Sequence, residues 1–166
     1  MHLATVVFSI FAAWRWGDWK NWEKYHTTML YVAVCNLLYN FIYSKHLLWQ
    51  LKPYLLYSHN VAELFYSFIV FPLSALILLS NYPSSFKGQI LRIVQFVAVY
   101  TFMEWLFYLS DKIFYSSGWS IWWSLGWNFI MFPMWMLHHK KPLIAYAASV
   151  IFVMIVLKLF PVPLKP

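Results

Sequence analysis

His59, Glu63 and Ser67 lie four residues apart, as do Asn36 and Asn40, and Glu104 and Tyr108. Side chains spaced by four share one face of a helix, so each set forms a polar stripe. Asn128 adds an amide on a further apolar stretch. A carboxyl taken out of water without a cation favours its protonated form, the property a proton relay or general acid uses. Glu104 fits that description best: "TFMEWLF" gives it no charged neighbour in sequence, so its partner must come from another segment. His59, Glu63 and Glu104 also make a weak donor set for a divalent ion, one imidazole and two carboxylates without a visible supporting group. At the other end of the chain's polar inventory, His26 and "HHKKP" (138–142) would bracket a haem or meet a phosphate, while the dibasic pair reads more simply as an orientation signal. No cofactor is expected, and there is no Gly-rich phosphate loop, paired-cysteine motif or nucleophile elbow.

The elements that carry these groups follow from composition. Of 166 residues, 63% are hydrophobic and only 10% charged, against about 25% charged in a soluble domain. Apolar runs at about 3–16, 25–43, 60–80, 89–110, 120–137 and 143–160 are separated by short polar connections. A bilayer core takes about 20 helical residues, so the sequence predicts an all-α integral membrane bundle of six spans in a single domain, without a soluble domain. The first run is short and gives a five-span alternative in which it lies in the interface. It lacks a preceding lysine or arginine, which argues for a retained helix rather than a cleaved signal. One cysteine, Cys35, excludes an intramolecular disulfide.

The run "WRWGDWKNWEKYH" between the first two stretches interleaves Trp14, Trp16, Trp19 and Trp22 with Arg15, Lys20 and Lys24. Indoles settle at the headgroup level and basic side chains reach past them to water, so the run reads as an interfacial belt with a turn at Gly17 and Asp18. An aromatic cage for a cationic headgroup is the functional alternative. A second belt, "WSIWWSLGW", carries Trp127 too deep to stay at the surface, and that indole should need a buried partner. With six spans, Arg15, Lys20, Lys24, Lys87, Arg92, Lys140 and Lys141 share one face, opposite Lys45, Lys52, Lys112, Lys158 and Lys165. The bias places the first face in the cytoplasm and both termini outside. The net charge of +7 suits anionic lipid, and a nucleic-acid partner is not expected because no solvent-exposed basic stripe exists.

Measured from the outer ends at about 1.5 Å per residue, Glu63 lies about 6 Å deep, Asn36 and Glu104 about 10 Å, Ser67 about 12 Å and Asn128 about 13 Å. Lipid offers such groups no partner, so they should turn inward and line an outward-opening polar pocket, with Asn40, His59 and Tyr108 nearer the surface. The inner half should be apolar. "FIVFP" (68–72) and "FIMFP" (129–133) lie at similar depth on parallel helices, which suggests a repeated two-helix unit and two matched kinks at Pro72 and Pro133.

"WRWGDWKNWEKYH", "NLLYNFIY", "FIVFP" with "SNYP", "GWSIWWSL" and "HHKKP" together resemble a family of small, Trp-rich multi-pass membrane proteins of endospore-forming Gram-positive bacteria. The resemblance spans nearly the whole chain; it implies a bacterial plasma membrane and a shared fold and carries over no catalytic residue. The expected function is binding or transport of a small polar or cationic solute, or of a lipid headgroup, with proton exchange at Glu104. Two alternatives stay open: an accessory subunit whose aromatic surface and Pro-kinked helices pack against a partner protein or a second copy and whose polar groups only join helices, and an intramembrane enzyme acting on lipid.

Overall fold

The computed structural model describes residues 1–52 and 58–161. The chain is mostly helical, with six helices among the described residues. They are α1 (His2–Trp16), α2 (Glu23–Ile42), α3 (His59–Leu79), α4 (Phe86–Leu109), α5 (Ile121–Lys140) and α6 (Pro142–Leu159). Three of them, α3, α4 and α6, are long and apolar enough to cross a membrane. The helix bounds follow the apolar runs because Ser58, Ser85 and Ser120 precede α3, α4 and α5; Ser58 and Ser85 accept backbone N–H bonds from Val61 and Gly88. Lys165, counted above among the basic residues of the outer face, lies outside the described residues.

The departure from an all-helical chain is a two-stranded antiparallel sheet. Strand β1 (Trp49–Leu51) pairs with β2 (Ile113–Tyr115) in the register Trp49↔Tyr115, Gln50↔Phe114 and Leu51↔Ile113. Both segments are rich in aromatic and branched residues that favour extended backbone. Ser116 ties the pair back to the chain before β1, its N–H donating to the Leu48 carbonyl. The sheet defines one end of the bundle. There α2 and α4 finish, α3 and α5 begin, and His2 at the start of α1 spans the Tyr66 hydroxyl and the Lys112 carbonyl. The tight connections at 17–22, 80–85 and 141 lie at the opposite, loop end.

Helix α3 packs against α1 and α2, α5 against α2, α4 and α6. The main core gathers Tyr31, Val32, Leu76, Leu79, Val97, Phe132 and Trp135 in the loop half, from α2, α3, α4 and α5. A second cluster at the sheet end joins Tyr39, Tyr43, Leu48 and Trp119 to α6. Trp127 finds its expected company there, with ring centroids 6.1 Å from Trp119 and 5.2 Å from Phe152. Between α3 and α4 there is no comparable backbone contact; Tyr100 reaches across to donate to Ser74 at 2.6 Å, and Arg92 Nη2 donates to the carbonyls of Ile77 and Ser80.

Gly17, in the turn after α1, has an extended backbone. It is needed for close approach, because a Cβ there would stand 2.5 Å from the Ala13 carbonyl oxygen and 3.0 Å from Leu76. The two prolines sit in unlike helical surroundings. Before Pro72 the helix widens into a π turn over Tyr66–Val70, with the Phe71 N–H donating to the Tyr66 carbonyl, whereas Pro133 sits inside continuous α-helix. The π turn inserts one residue into the ladder where the proline has removed a donor.

Candidate functional site

Glu63 begins the site. It stands one turn after His59 on α3 and is only 6% exposed. Asn36 and Asn40, on one face of α2, both donate Nδ2–H bonds to its Oε2, at 3.0 and 3.1 Å. Asn36 also donates to Ser67 Oγ at 2.9 Å, and Ser67 in turn donates to the Glu63 carbonyl at 2.8 Å. The spacing of four on each helix therefore does bring Asn36, Asn40, Glu63 and Ser67 into one network. His59 faces elsewhere: its Nδ1 accepts the Leu51 N–H at 3.1 Å, which ties α3 to β1 and leaves Nε2 as a buried donor without a partner among the described residues.

Glu104 lies on α4 and belongs to a separate network. Its Oε1 accepts from Tyr115 Oη at 2.8 Å and from Ser124 Oγ at 2.5 Å, and Ser124 Oγ accepts the Trp119 indole N–H at 2.9 Å. Burial, reinforced by the adjoining Glu104 carboxyl, pushes the Tyr115 phenol up from its ordinary range, so it remains a donor. Asn128 donates to Thr101 Oγ1 at 3.2 Å, joining α5 to α4. Tyr108 does not belong to the site: it is exposed and stacks on Tyr115. Ser124, Thr101 and Tyr115 were not foreseen. Ser124 precedes Asn128 by four residues, and that spacing was the available signal.

The two networks meet across a cavity of about 350 Å³ that fills the gap between α3 and α4. Glu63 and Asn36 line it from one side, Glu104, Ser124 and Asn128 from the other, while Thr5, Ser9 and Ala12 of α1 close a flank. Trp49, Leu51 and Ile113 of the sheet lie over its end nearest the carboxyls, and Trp16, Ile77 and Gln95 mark the far end. Most of the wall is aromatic or aliphatic, so the cavity is an apolar chamber with a polar layer near the sheet rather than a polar pocket. No lysine, arginine or histidine among the described residues lines it. Nor do His59, Glu63 and Glu104 converge as metal ligands; among the described residues no group of three such side chains does. The loop half is not purely apolar either, since Thr28 meets His138 Nδ1 at 3.0 Å and Tyr31 meets Ser149 at 2.6 Å.

Fold and site define a class: a helical bundle with helices apolar enough for a bilayer and a partly open cavity lined by two carboxyls, with no lysine, arginine or histidine among its described lining residues. Compared with protein-family models, curated proteins and solved structures, the chain matches none of them.

Proposed function

We propose that the protein is a multi-pass component of a bacterial plasma membrane, related to the small Trp-rich family its sequence resembles, that binds an organic cation with an apolar body. Six crossings with the sheet end outward place both termini outside. Exposed apolar side chains on every helix support lipid contact, among them Phe8, Phe41, Phe68, Phe86, Trp122 and Val150. Glu104 exchanges a proton for the cation: its partners are hydroxyls, and Ser124 can accept as readily as it donates.

One observation carries this reading. The chamber presents carboxyls and aromatic rings together, with no basic side chain among the described residues of its wall. An ammonium or phosphonium group desolvated there gains both a counter-charge and ring faces, the combination that recognises such cations. Trp16, Trp49, Trp119 and Trp127 line the chamber and supply the signal. Titration of the protein in lipid nanodiscs with tetraphenylphosphonium is expected to change indole emission saturably, to release protons, and to weaken at least tenfold in Glu104→Gln. Emission insensitive to the cation, or equal responses to the neutral triphenylphosphine oxide, would leave an accessory subunit as the better account.

A further inference from the structure

The two halves of the chain share a plan that the five-residue match in the prolyl segments only hints at. Each runs helix, strand, helix: α2–β1–α3 and α4–β2–α5. Antiparallel strands are related by a local two-fold axis through their middle pair, here Gln50 and Phe114. Carrying the interval from Gln50 to Phe114 back along the preceding helices takes Asn40 to Glu104. Carrying the interval from Phe68 to Phe129 back along the following helices takes Glu63 to Ser124, and Ser67 to Asn128. The bond between Asn40 and Glu63 therefore corresponds to the bond between Glu104 and Ser124. Its position is kept and its polarity reversed: the carboxyl stands on the second helix of one half and on the first helix of the other. One turn deeper each half again joins its two helices, Asn36 donating to Ser67 in one and Asn128 to Thr101 in the other, although the interval of the first helices takes Asn36 to Tyr100, the neighbour of Thr101.

This plan bears on what the chamber holds. Each carboxyl is bonded by neutral donors of its own half and through one oxygen only, Oε2 of Glu63 and Oε1 of Glu104. Among the described residues the second oxygen of each has no hydrogen-bond partner, and each retains accessible surface. Both side chains line the same chamber. The symmetry of the pairing is broken at one place: α2 packs on α5, whereas α3 stands off from α4, and that gap is the chamber.

We propose that the chamber is a two-headed site between the halves of an internally duplicated chain, and that its preferred ligand carries two cationic groups, one for each half's carboxylate. This rests on the cation-binding reading given above. A single cation would leave one carboxylate needing a proton; a dication satisfies both free oxygens and leaves the wall neutral.

A series of α,ω-bis(trimethylammonium) alkanes of graded length, compared with mono-quaternary alkanes of equal carbon number, tests it on the full chain in zwitterionic nanodiscs, read by indole emission. One chain length is expected to bind at least tenfold more tightly than its monocation. Glu63→Gln and Glu104→Gln should each abolish the dication's advantage over its monocation, with Glu104→Gln weakening the monocation at least tenfold as well. Dications no better than monocations, with both binding, would overturn the two-headed site and leave the simpler cation site standing. Binding of neither series would remove both.

Discussion

At the scale of single residues, the two carboxyls differ in what their partners can do. An amide N–H only donates, so Asn36 and Asn40 suit an ionised Glu63, whereas the hydroxyl of Ser124 serves a protonated Glu104 as well. Asn36 serves two acceptors at once, and Asn36→Ala is expected to cost about 1–3 kcal/mol by leaving buried acceptors unpaired; thermal unfolding in detergent would measure it. Asp111 is the surface counterpart. The Lys52 ammonium, bonded to it at 2.6 Å, holds its carboxyl below the usual range. A carboxyl depressed on folding adds stability above its free value of about 3.9 and loses it as the pH falls through the folded value. Both side chains are exposed, so solvent screens the pair. Asp111→Asn should lower the unfolding midpoint slightly at neutral pH, and the difference should close on acidification; asparagine tolerates the φ of +54° at that position, so the charge alone is tested.

At the scale of elements, the helices were legible because apolar runs mark them in the sequence. The polar stripes were legible for the same kind of reason, since Asn36 with Asn40 and Glu63 with Ser67 repeat at the helical interval. The sheet was not. Its strands are three residues each, and Trp49 finds Tyr115 only because the bundle brings the ends of α2 and α4 together. Without the sheet, Glu104's partner Tyr115 was also out of reach, as was the bond from the Leu51 N–H that occupies His59 Nδ1. Packing decides the rest. Gly17→Ala is expected to lower the unfolding midpoint, because the added Cβ must displace the Ala13 carbonyl or Leu76, and with them the contact of α1 on α3. Phe132, fully buried against Phe96, Tyr100 and Trp135, should cost about 3–5 kcal/mol on truncation to alanine. Denaturation followed by tryptophan emission would check both.

At the scale of the whole molecule, the sheet end and the loop end are two opposed faces, and the proposed arrangement makes them the two sides of a bilayer. With Cys35 replaced by alanine, single cysteines at Lys20, Ser84 and Lys141 should label from one side with a membrane-impermeant maleimide, and those at Lys45 and Lys112 from the other. Reaction of the two groups from the same side would end the six-crossing arrangement. The Trp run is arranged for such a boundary: Trp14, Trp16, Trp19 and Trp22 are all exposed at the loop end, and Trp19 also donates its indole N–H to the Ala13 carbonyl, closing α1.

The Glu63 network has one more consequence, for synthesis. Its donors stand on α2, the helix just before the one that carries the carboxyl, so this network can close before Phe86 has left the ribosome, while Thr28, Tyr31 and Ser74 wait for His138, Ser149 and Tyr100. The hairpin can enter lipid with its carboxyl already bonded. The edge of β1 has no such provision and stays open until residue 115 emerges, so the nascent first half must be shielded at that edge, by the translocon or by a chaperone, for the time it takes to translate α4.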